Sequence, residues 1–583
     1  MNQPASFKVA AAQLEIGYDQ KSNLDKCLSA IRRASENGAR LVLLPEFSNI
    51  EPMSDKSFDN PSELNALYDS LLETTYFTKA IGEAAKNHKI HVAINILSKG
   101  SKRAEMFDES FLFSLEGKIV GSYQKTVLIG FENDFCVKGR HGIPVFETDL
   151  GRIGMYVCMD GVIPETTRVL ALSGAQILLN SLHSTAIEEA EFLVPSRAVE
   201  NGVWVISSNR VGGVKIPPGD LKIPSGDLQF SGGSSIVSPD GRVLAKGSIE
   251  KEEIIYGEVT AKQADNKIRE SCMLDLFSDR RPELYSSLAS ANPFFQNSLE
   301  NSEPLGKAKG TSITISVVQN ECSNDTEISL DRALAQCAKV AKMGAKIIVF
   351  PELFLFEQRQ VEADPSTAAK ISQTALEKFS ALSSEAGIFV ALSLVEESKD
   401  SYYSTLYLIG DQGRVVEKYR KAHLSGFDRK WASRGNSLVV ARTKYGNLGL
   451  MLGSEVILPE IARTLTLMGA DCILYPCNWA NNYEQDWLVK ARTTENHICI
   501  AAANRIDSRA DRGSIITPVV SPFASFTENK SIAEIFDCVM PRALVGELTS
   551  SIDFLLARNK EVIYKTNLVL VRRVELYKPI VAR

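Results

Sequence analysis

Between residues 7 and 208 the chain alternates short apolar runs with longer segments whose apolar positions recur every three to four residues. The short runs at 7–13, 39–44, 90–97, 152–157, 175–180 and 203–208 predict strands, that at 152–157 a buried one. The segments 22–37, 64–88 and 164–174 predict helices; Gly38 ends the first and Pro164 opens the last. The runs 111–114 and 118–123 flank Glu116-Gly117 and predict a hairpin. Apolar strands alternating with helices, with a few hairpins, imply an α/β (α+β layered) fold.

The same pattern is written twice. Leu44-Pro45-Glu46-Phe47 returns as Phe350-Pro351-Glu352-Leu353, and Tyr123-Gln124-Lys125 returns as Tyr419-Arg420-Lys421. Arg197, Glu200, Asn201, Asn209 and Arg210 return as Arg492, Glu495, Asn496, Asn504 and Arg505. Arg280-Arg281-Pro282-Glu283-Leu284-Tyr285 returns as Arg572-Arg573-Val574-Glu575-Leu576-Tyr577. Repeats of this length are whole domains rather than solenoid units. The boundaries predicted are 1–289 for the first domain, 290–310 for an Asn-, Ser-, Pro- and Gly-rich linker, and 311–583 for the second. The first copy is longer between its glutamate and its lysine, and the polar stretch 51–63 is the expected place for the extra residues. A local duplication, Lys215-Ile216-Pro217-Pro218-Gly219-Asp220-Leu221 followed by Lys222-Ile223-Pro224-Ser225-Gly226-Asp227-Leu228, lengthens one loop. It reads first as a spare surface loop, and second as a loop that narrows a pocket mouth.

One position breaks the repetition. Gly154-Met155-Tyr156-Val157-Cys158-Met159-Asp160 becomes Gly449-Leu450-Met451-Leu452-Gly453-Ser454-Glu455. The glycines, the following Pro-Glu pair and Arg168 recur, but Gly453 stands where the cysteine would be. Only the first copy can perform thiol chemistry. Ser454 is adjacent, but an alcohol is a weak nucleophile without an aligned base. Glu165, Arg168, Arg197, Glu200 and Asn209 recur in the copy without a nucleophile, which points to structural ion pairing.

Composition narrows the class. Hydrophobic residues make up 44% and charged residues 23%, and the net charge is -6, with Lys and Arg scattered. Nothing here favours nucleic acid or an anionic membrane. Neither a signal-peptide core at residues 1–8 nor an apolar run of bilayer length is present, so a cytoplasmic protein is expected. Ten cysteines without paired spacing imply buried thiols rather than a disulfide frame, and Cys472 and Cys477 read as core packing. Six scattered histidines give no metal cluster, and no cofactor is implied.

The candidate chemistry lies at strand ends. Cys158 ends an apolar strand and precedes a helix, where N–H groups favour thiolate and oxyanion. Glu46 and Lys125 likewise follow strands. A carboxylate can take the thiol proton, the thiolate can attack a carbonyl or nitrile carbon, and an ammonium can stabilise the tetrahedral oxygen.

At these residues the sequence resembles the nitrilase (carbon-nitrogen hydrolase) superfamily. The resemblance rests on Leu44-Pro45-Glu46, Tyr123-Gln124-Lys125, Cys158-Met159-Asp160 with Pro164-Glu165 and Arg168, and Arg197-Ala198-Val199-Glu200-Asn201 with Asn209-Arg210. It covers nearly all of both halves. It implies two nitrilase-like α-β-β-α sandwich domains joined as a fused pseudo-dimer, with further homo-oligomerisation open. It also implies a Glu46–Lys125–Cys158 triad supported by a second glutamate, for which Glu132 is the candidate, one residue nearer the lysine than is commonest. The second domain is expected to be catalytically dead, either supplying a dimer-like face or keeping an emptied pocket. Cys-Met-Asp in place of Cys-Trp-Glu favours an amide or N-carbamoyl substrate over a nitrile, and 160–163 lack the arginines with which some carbamoyl amino-acid hydrolases hold a carboxylate. The function expected is hydrolysis of a small linear amide or N-carbamoyl amine through a thioacyl-enzyme. The alternatives are ammonia supply or acyl transfer with a partner, and a non-catalytic binding or scaffold protein.

Overall fold

The computed structural model describes residues 5–52, 61–216, 226–291, 312–541, 544–553, 557, 561–563 and 566–582. Most of the polar stretch 51–63, the core of the duplicated loop and nearly all of the linker lie outside the described residues. The flanks of the duplicated loop, Gly213–Ile216 and Gly226–Gln229, pair as an antiparallel hairpin.

The chain forms two compact units. One contains 1–267, 522–532 and 561–580; the other contains 268–521, 533–560 and 581–583. These units depart from the repeat boundaries at the tails. The first repeat's Arg280-Arg281 motif lies in the second unit, and the second repeat's Arg572-Arg573 motif lies in the first.

The first unit holds two six-stranded sheets. One runs Glu253–Val259, Phe7–Gln13, Leu41–Leu43, His91–Lys99, Met106–Phe113 and Ile119–Gln124 in spatial order. The other runs Val243–Lys246, Ser235–Val237, Trp204–Ser208, Ile177–Ser181, Gly151–Val157 and Val145–Thr148. The middle strands are parallel in each, with Val9 opposite Leu41 and Ile153 opposite Ile177. Side chains alternate across a strand, so Val9 and Ala11 join Leu41, Leu43, Ile153 and Leu179 in the core between the sheets. Ala10 and Ala12 face the other way, into a second core with Leu24, Ile31, Phe77 and Ile81 of the helices Gln20–Glu36 and Thr74–His88. Burial on both faces is why these strands read as continuous apolar runs rather than as alternation. The outer layer of the second sheet is formed by Pro164–Leu172 and Val194–Asn201; a Cβ at Gly154 would meet the Leu170 side-chain tip at 2.9 Å, so any larger residue there would have to push Leu170 aside.

Sequence and structure differ locally. The helix expected over 64–88 is two helices, Pro61–Ser70 and Thr74–His88, broken at 71–73. Leu71 is buried at the break, which turns the chain without a Gly or Pro signal.

The second unit repeats the design. Its six-stranded sheet runs Val415–Arg420, Ser401–Ile409, Phe389–Ser398, Ile347–Val349, Ile313–Gln319 and Gly546–Ile552. Its five-stranded sheet runs Val439–Arg442, Asn447–Leu450, Cys472–Pro476, Cys499–Ala503 and Ile515–Ile516. All ten cysteines are free, and Cys472 and Cys477 are buried in the core as expected. Among the described residues no helix is long and apolar enough to cross a membrane.

Candidate active site

Glu46, Lys125 and Cys158 each follow a strand end through a constrained turn. Past Leu41–Leu43, the Glu46 N–H donates to the Leu182 carbonyl at 3.3 Å. Phe47 then takes φ 50°, its N–H held by Asn95 Oδ1 at 2.8 Å. Lys125 follows Ile119–Gln124 directly, and its N–H donates to the Asp108 carbonyl at 2.9 Å. Cys158 follows Gly151–Val157 with φ 44° and ψ −104°, a conformation costly for any residue with a Cβ. Its N–H is fixed by the Ser181 carbonyl at 3.1 Å and Asn180 Oδ1 at 3.2 Å. Glu132 begins the one-turn helix Glu132–Phe135.

Three of the four expected residues meet in direct contact, and Cys158 lies within electrostatic reach of all three. Lys125 Nζ donates to Glu46 Oε1 at 2.6 Å and Glu132 Oε1 at 2.7 Å, and lies 3.3 Å from Asp108 Oδ2. Glu132 Oε2 accepts the Ile129 N–H at 3.0 Å. The side chains of Glu46 and Lys125 are fully buried. Glu46, Asp108 and Glu132 place oxygens within 4.8 Å of one another, a spacing a cation could use, but the cation among them is the lysine ammonium. Glu46 Oε2 and Asp108 Oδ2 accept no hydrogen bond from a donor among the described residues, and the two carboxyls interact, which favours a proton on Glu46.

The electrostatics match that arrangement. Burial pushes the Glu46 carboxyl well above its usual range, against the pull of Lys125. Burial would lower Lys125, but Glu132, Glu46 and Asp108 outweigh it and hold the ammonium charged. Burial, reinforced by the Glu46 charge and opposed by Lys125, raises the Cys158 thiol, so the resting group is a neutral thiol. Glu132 is pushed up to about 7 by burial, with Lys125 opposing.

Sequence reasoning missed three carboxylates. Asp108 is the first, facing Lys125. The second, Asp160, ties the cysteine turn to the lysine turn: it accepts from Val157 N–H at 3.1 Å, Tyr123 Oη at 2.8 Å, Thr126 Oγ1 at 3.0 Å and Val127 N–H at 2.9 Å. The signal was present, because an acid recurs there as Glu455, which accepts from Leu452 N–H at 2.9 Å and Tyr419 Oη at 2.5 Å. The third is Glu189. Its repeat counterpart Glu484 accepts the Ala480 and Asn481 N–H groups at 2.8 and 2.9 Å. Glu189 is buried, and neither of its oxygens has a hydrogen-bond partner among the described residues. Burial pushes it up to about 8, and its charge reaches Cys158. A carboxyl raised by folding costs stability as pH climbs from the ordinary value of 4.5 through about 8. Glu189→Gln is therefore expected to be more stable than wild type by about 1–3 kcal/mol at pH 9, and by little at pH 5. Thermal unfolding at the two pH values checks this; an equal gain at both would remove the titration as its cause.

The tail of the second repeat supports this site. The Gly130 N–H, between Lys125 and Glu132, donates to Thr566 Oγ1 at 2.8 Å. The Ser525 N–H donates to Glu188 Oε1 at 2.6 Å, beside Glu189. Glu165, expected in structural ion pairing, pairs with Arg572 Nε at 2.9 Å, while Arg168 donates to the Glu200 carbonyl at 2.9 Å and Asn201 Oδ1 at 3.2 Å. In the second unit Glu460 pairs with Arg280 at 2.9 Å in the same way. Arg197 pairs with Glu200, and Arg492 with Glu495 at 2.7 Å.

In the second unit Lys421 Nζ lies 2.7 Å from both Glu352 Oε1 and Asp428 Oδ2. Gly453 has φ 54°, the backbone bend of Cys158 without its strain. A Cβ there would sit 2.4 Å from Glu352 Oε1 and 2.5 Å from Lys421 Nζ. The ion pair has closed into the space a nucleophile would need.

Fold and site together define a protein of two nitrilase-like sandwich domains, one of which carries a cysteine beside a lysine-linked carboxylate cluster. The Carbon-nitrogen hydrolase family model matches residues 8–268 and 314–532, and the chain belongs to that family, with the domain present in tandem. It is 28% identical over 47–48% of its length to a nitrilase of Pyrococcus abyssi (98% of that protein) and to a probable nitrilase of Schizosaccharomyces pombe (94% of that protein). It is 27% identical over 48% of its length to an omega-amidase of Homo sapiens, covering 97% of it. The crystal structure of an amidase from Nesterenkonia sp. matches 46% of this chain and 95% of its own at 25% identity, with a TM-score of 0.38.

Proposed function

We propose that the first unit hydrolyses the carbon–nitrogen bond of a small linear amide or N-carbamoyl amine, with Cys158 as nucleophile, Glu46 as general base and acid, and Lys125 as the charge that stabilises the tetrahedral oxygen. The observation that carries this reading is the buried Lys125–Glu46 pair within electrostatic reach of a Cys158 thiol held at a strained strand-end turn. Glu46 takes the thiol proton as sulfur bonds to the carbonyl carbon. Lys125 offsets the negative charge that develops on oxygen. The carbon–nitrogen bond breaks as Glu46 returns its proton to nitrogen, and ammonia leaves. Glu46 then deprotonates a water that attacks the thioester. The acyl group leaves as a carboxylic acid, or as a carbamic acid that splits into amine and carbon dioxide, and the thiol is restored. Glu132 keeps the ammonium in place. Relatives named as a citrullinase of Francisella tularensis and an N-carbamoylputrescine amidase of Solanum tuberosum support a carbamoyl substrate; the omega-amidase supports a simple amide.

The test is intact-mass spectrometry during incubation with a panel of linear amides and carbamoyl amines, with ammonia followed in parallel. The expected result is a substrate-dependent acyl adduct on wild type, absent from Cys158→Ala, with ammonia released without ATP. A panel giving neither adduct nor ammonia, with no selective alkylation of Cys158 by iodoacetamide, would transfer the reading to a binding protein.

A further inference from the structure

The unit without a nucleophile keeps a cavity of about 840 Å³, within the range of ordinary small-ligand sites. Glu352, Lys421, Asp428 and Ser454 line it, with Cys272 and Trp479 on its walls. The Lys421 cluster is buried, and burying such a cluster is costly where it neither reacts nor binds. Ser454 Oγ is also buried at the cavity without a hydrogen-bond partner among the described residues. A buried hydroxyl without a partner is an expensive feature that a ligand group would relieve. Closing the nucleophile's space does not fill the cavity. The first repeat's tail is fastened over it: the Gly426 N–H donates to the Cys272 carbonyl at 2.8 Å, and Asn481 Nδ2 to Ser271 Oγ at 2.6 Å.

We infer that this cavity is a binding site for an uncleaved primary amide or urea-type group, the NH₂ donating to Glu352 and Ser454 and the carbonyl accepting from Lys421. Carboxylate acceptor, ammonium donor and hydroxyl suit both ends of a neutral amide. At the cluster a carboxylate ligand would meet Glu352 and Asp428 as like charges, while the wall cations Arg429, Lys430 and Arg505 are held by Asp279, Glu362 and Asp507. Gly453 leaves the Glu352–Lys421 pair without a thiol at the position Cys158 holds in the first unit, so the bound amide meets no sulfur placed for attack there and the unit holds the compound without turnover. The ligand class rests on the amidase reading of the first unit; the cavity does not.

Cys272 supplies a reporter native to the cavity. The full chain carrying Cys158→Ala is labelled with methyl methanethiosulfonate, and the labelling rate of the Cys272 peptide is followed by mass spectrometry. Propionamide and methylurea, each at tens of millimolar as ligands of about five heavy atoms require, are expected to slow labelling at least about threefold, and propionate to leave it unchanged. Protection should vanish in Lys421→Met and in Ser454→Phe, which puts a bulky ring into the cavity while keeping Glu352, Lys421 and Asp428 in the chain. If Lys421→Met does not fold, Ser454→Phe decides. No protection, equal protection by propionate, or protection surviving Ser454→Phe would overturn the site. Hydrolysis and acylation at Cys158 are read separately on wild type, so failure of the amidase reading leaves a different signature.

Discussion

Lys125→Met is expected to lose about 3–5 kcal/mol of stability and at least about 10²–10³-fold in turnover. The stability loss follows from arithmetic of charge: one buried ammonium faces Glu46 at 2.6 Å, Glu132 at 2.7 Å and Asp108 at 3.3 Å. Methionine fills the space but leaves three buried acids without a cation. The loss should depend on pH. Without Lys125 the folded-state pKa values of Glu46 and Glu132 rise further, so the folded protein binds more protons than the unfolded chain. Stability is then retained below about 4.5 and falls as pH rises. Thermal unfolding should show the variant close to wild type near pH 4.5 and far below it at pH 8. An equal deficit at both pH values would mean that the lysine contributes packing rather than charge.

Cys158→Gly is expected to abolish turnover, falling at least about 10³-fold, while being more stable than Cys158→Ala by about 1–2 kcal/mol. The residue sits at φ 44°, where a Cβ is strained, and the second unit has glycine at φ 54° in the same turn. Alanine removes the sulfur but keeps the strain; glycine removes both. Comparing the two variants by thermal unfolding separates strain from the lost sulfur contacts, and ammonia release measures turnover. If alanine were the more stable, the turn would not be storing strain. This also accounts for the second copy, where the absence of a nucleophile removes the need for strain.

The candidate site was largely legible because a tandem repeat supplies its own comparison. Glu46 and Glu352, Lys125 and Lys421, and Cys158 against Gly453 stand out as kept or changed within one chain. Asp160 could have been found in the same way through Glu455, but Met159 and Ser454 differ between them and nothing local signals that the acid bonds a backbone N–H three residues back. Glu189 could not. Its counterpart caps a loop, and only the folded chain leaves Glu189 without the N–H groups that satisfy Glu484.

Local order along the chain was enough to indicate the layered α/β class, most of its strands, the duplication and the loss of the cysteine from the second copy. Apolar periodicity is set by which neighbours a segment buries, and it is written residue by residue. Tertiary structure alone decided that Glu165 pairs with Arg572 and Glu460 with Arg280, that Thr566 and Ser525 belong to the unit of Cys158, and that Glu352 and Lys421 closed over Gly453. Those contacts join residues from about thirty to more than four hundred positions apart. Their partners are chosen by distance in space and by the cost of leaving a buried charge unpaired, and no spacing along the chain records either.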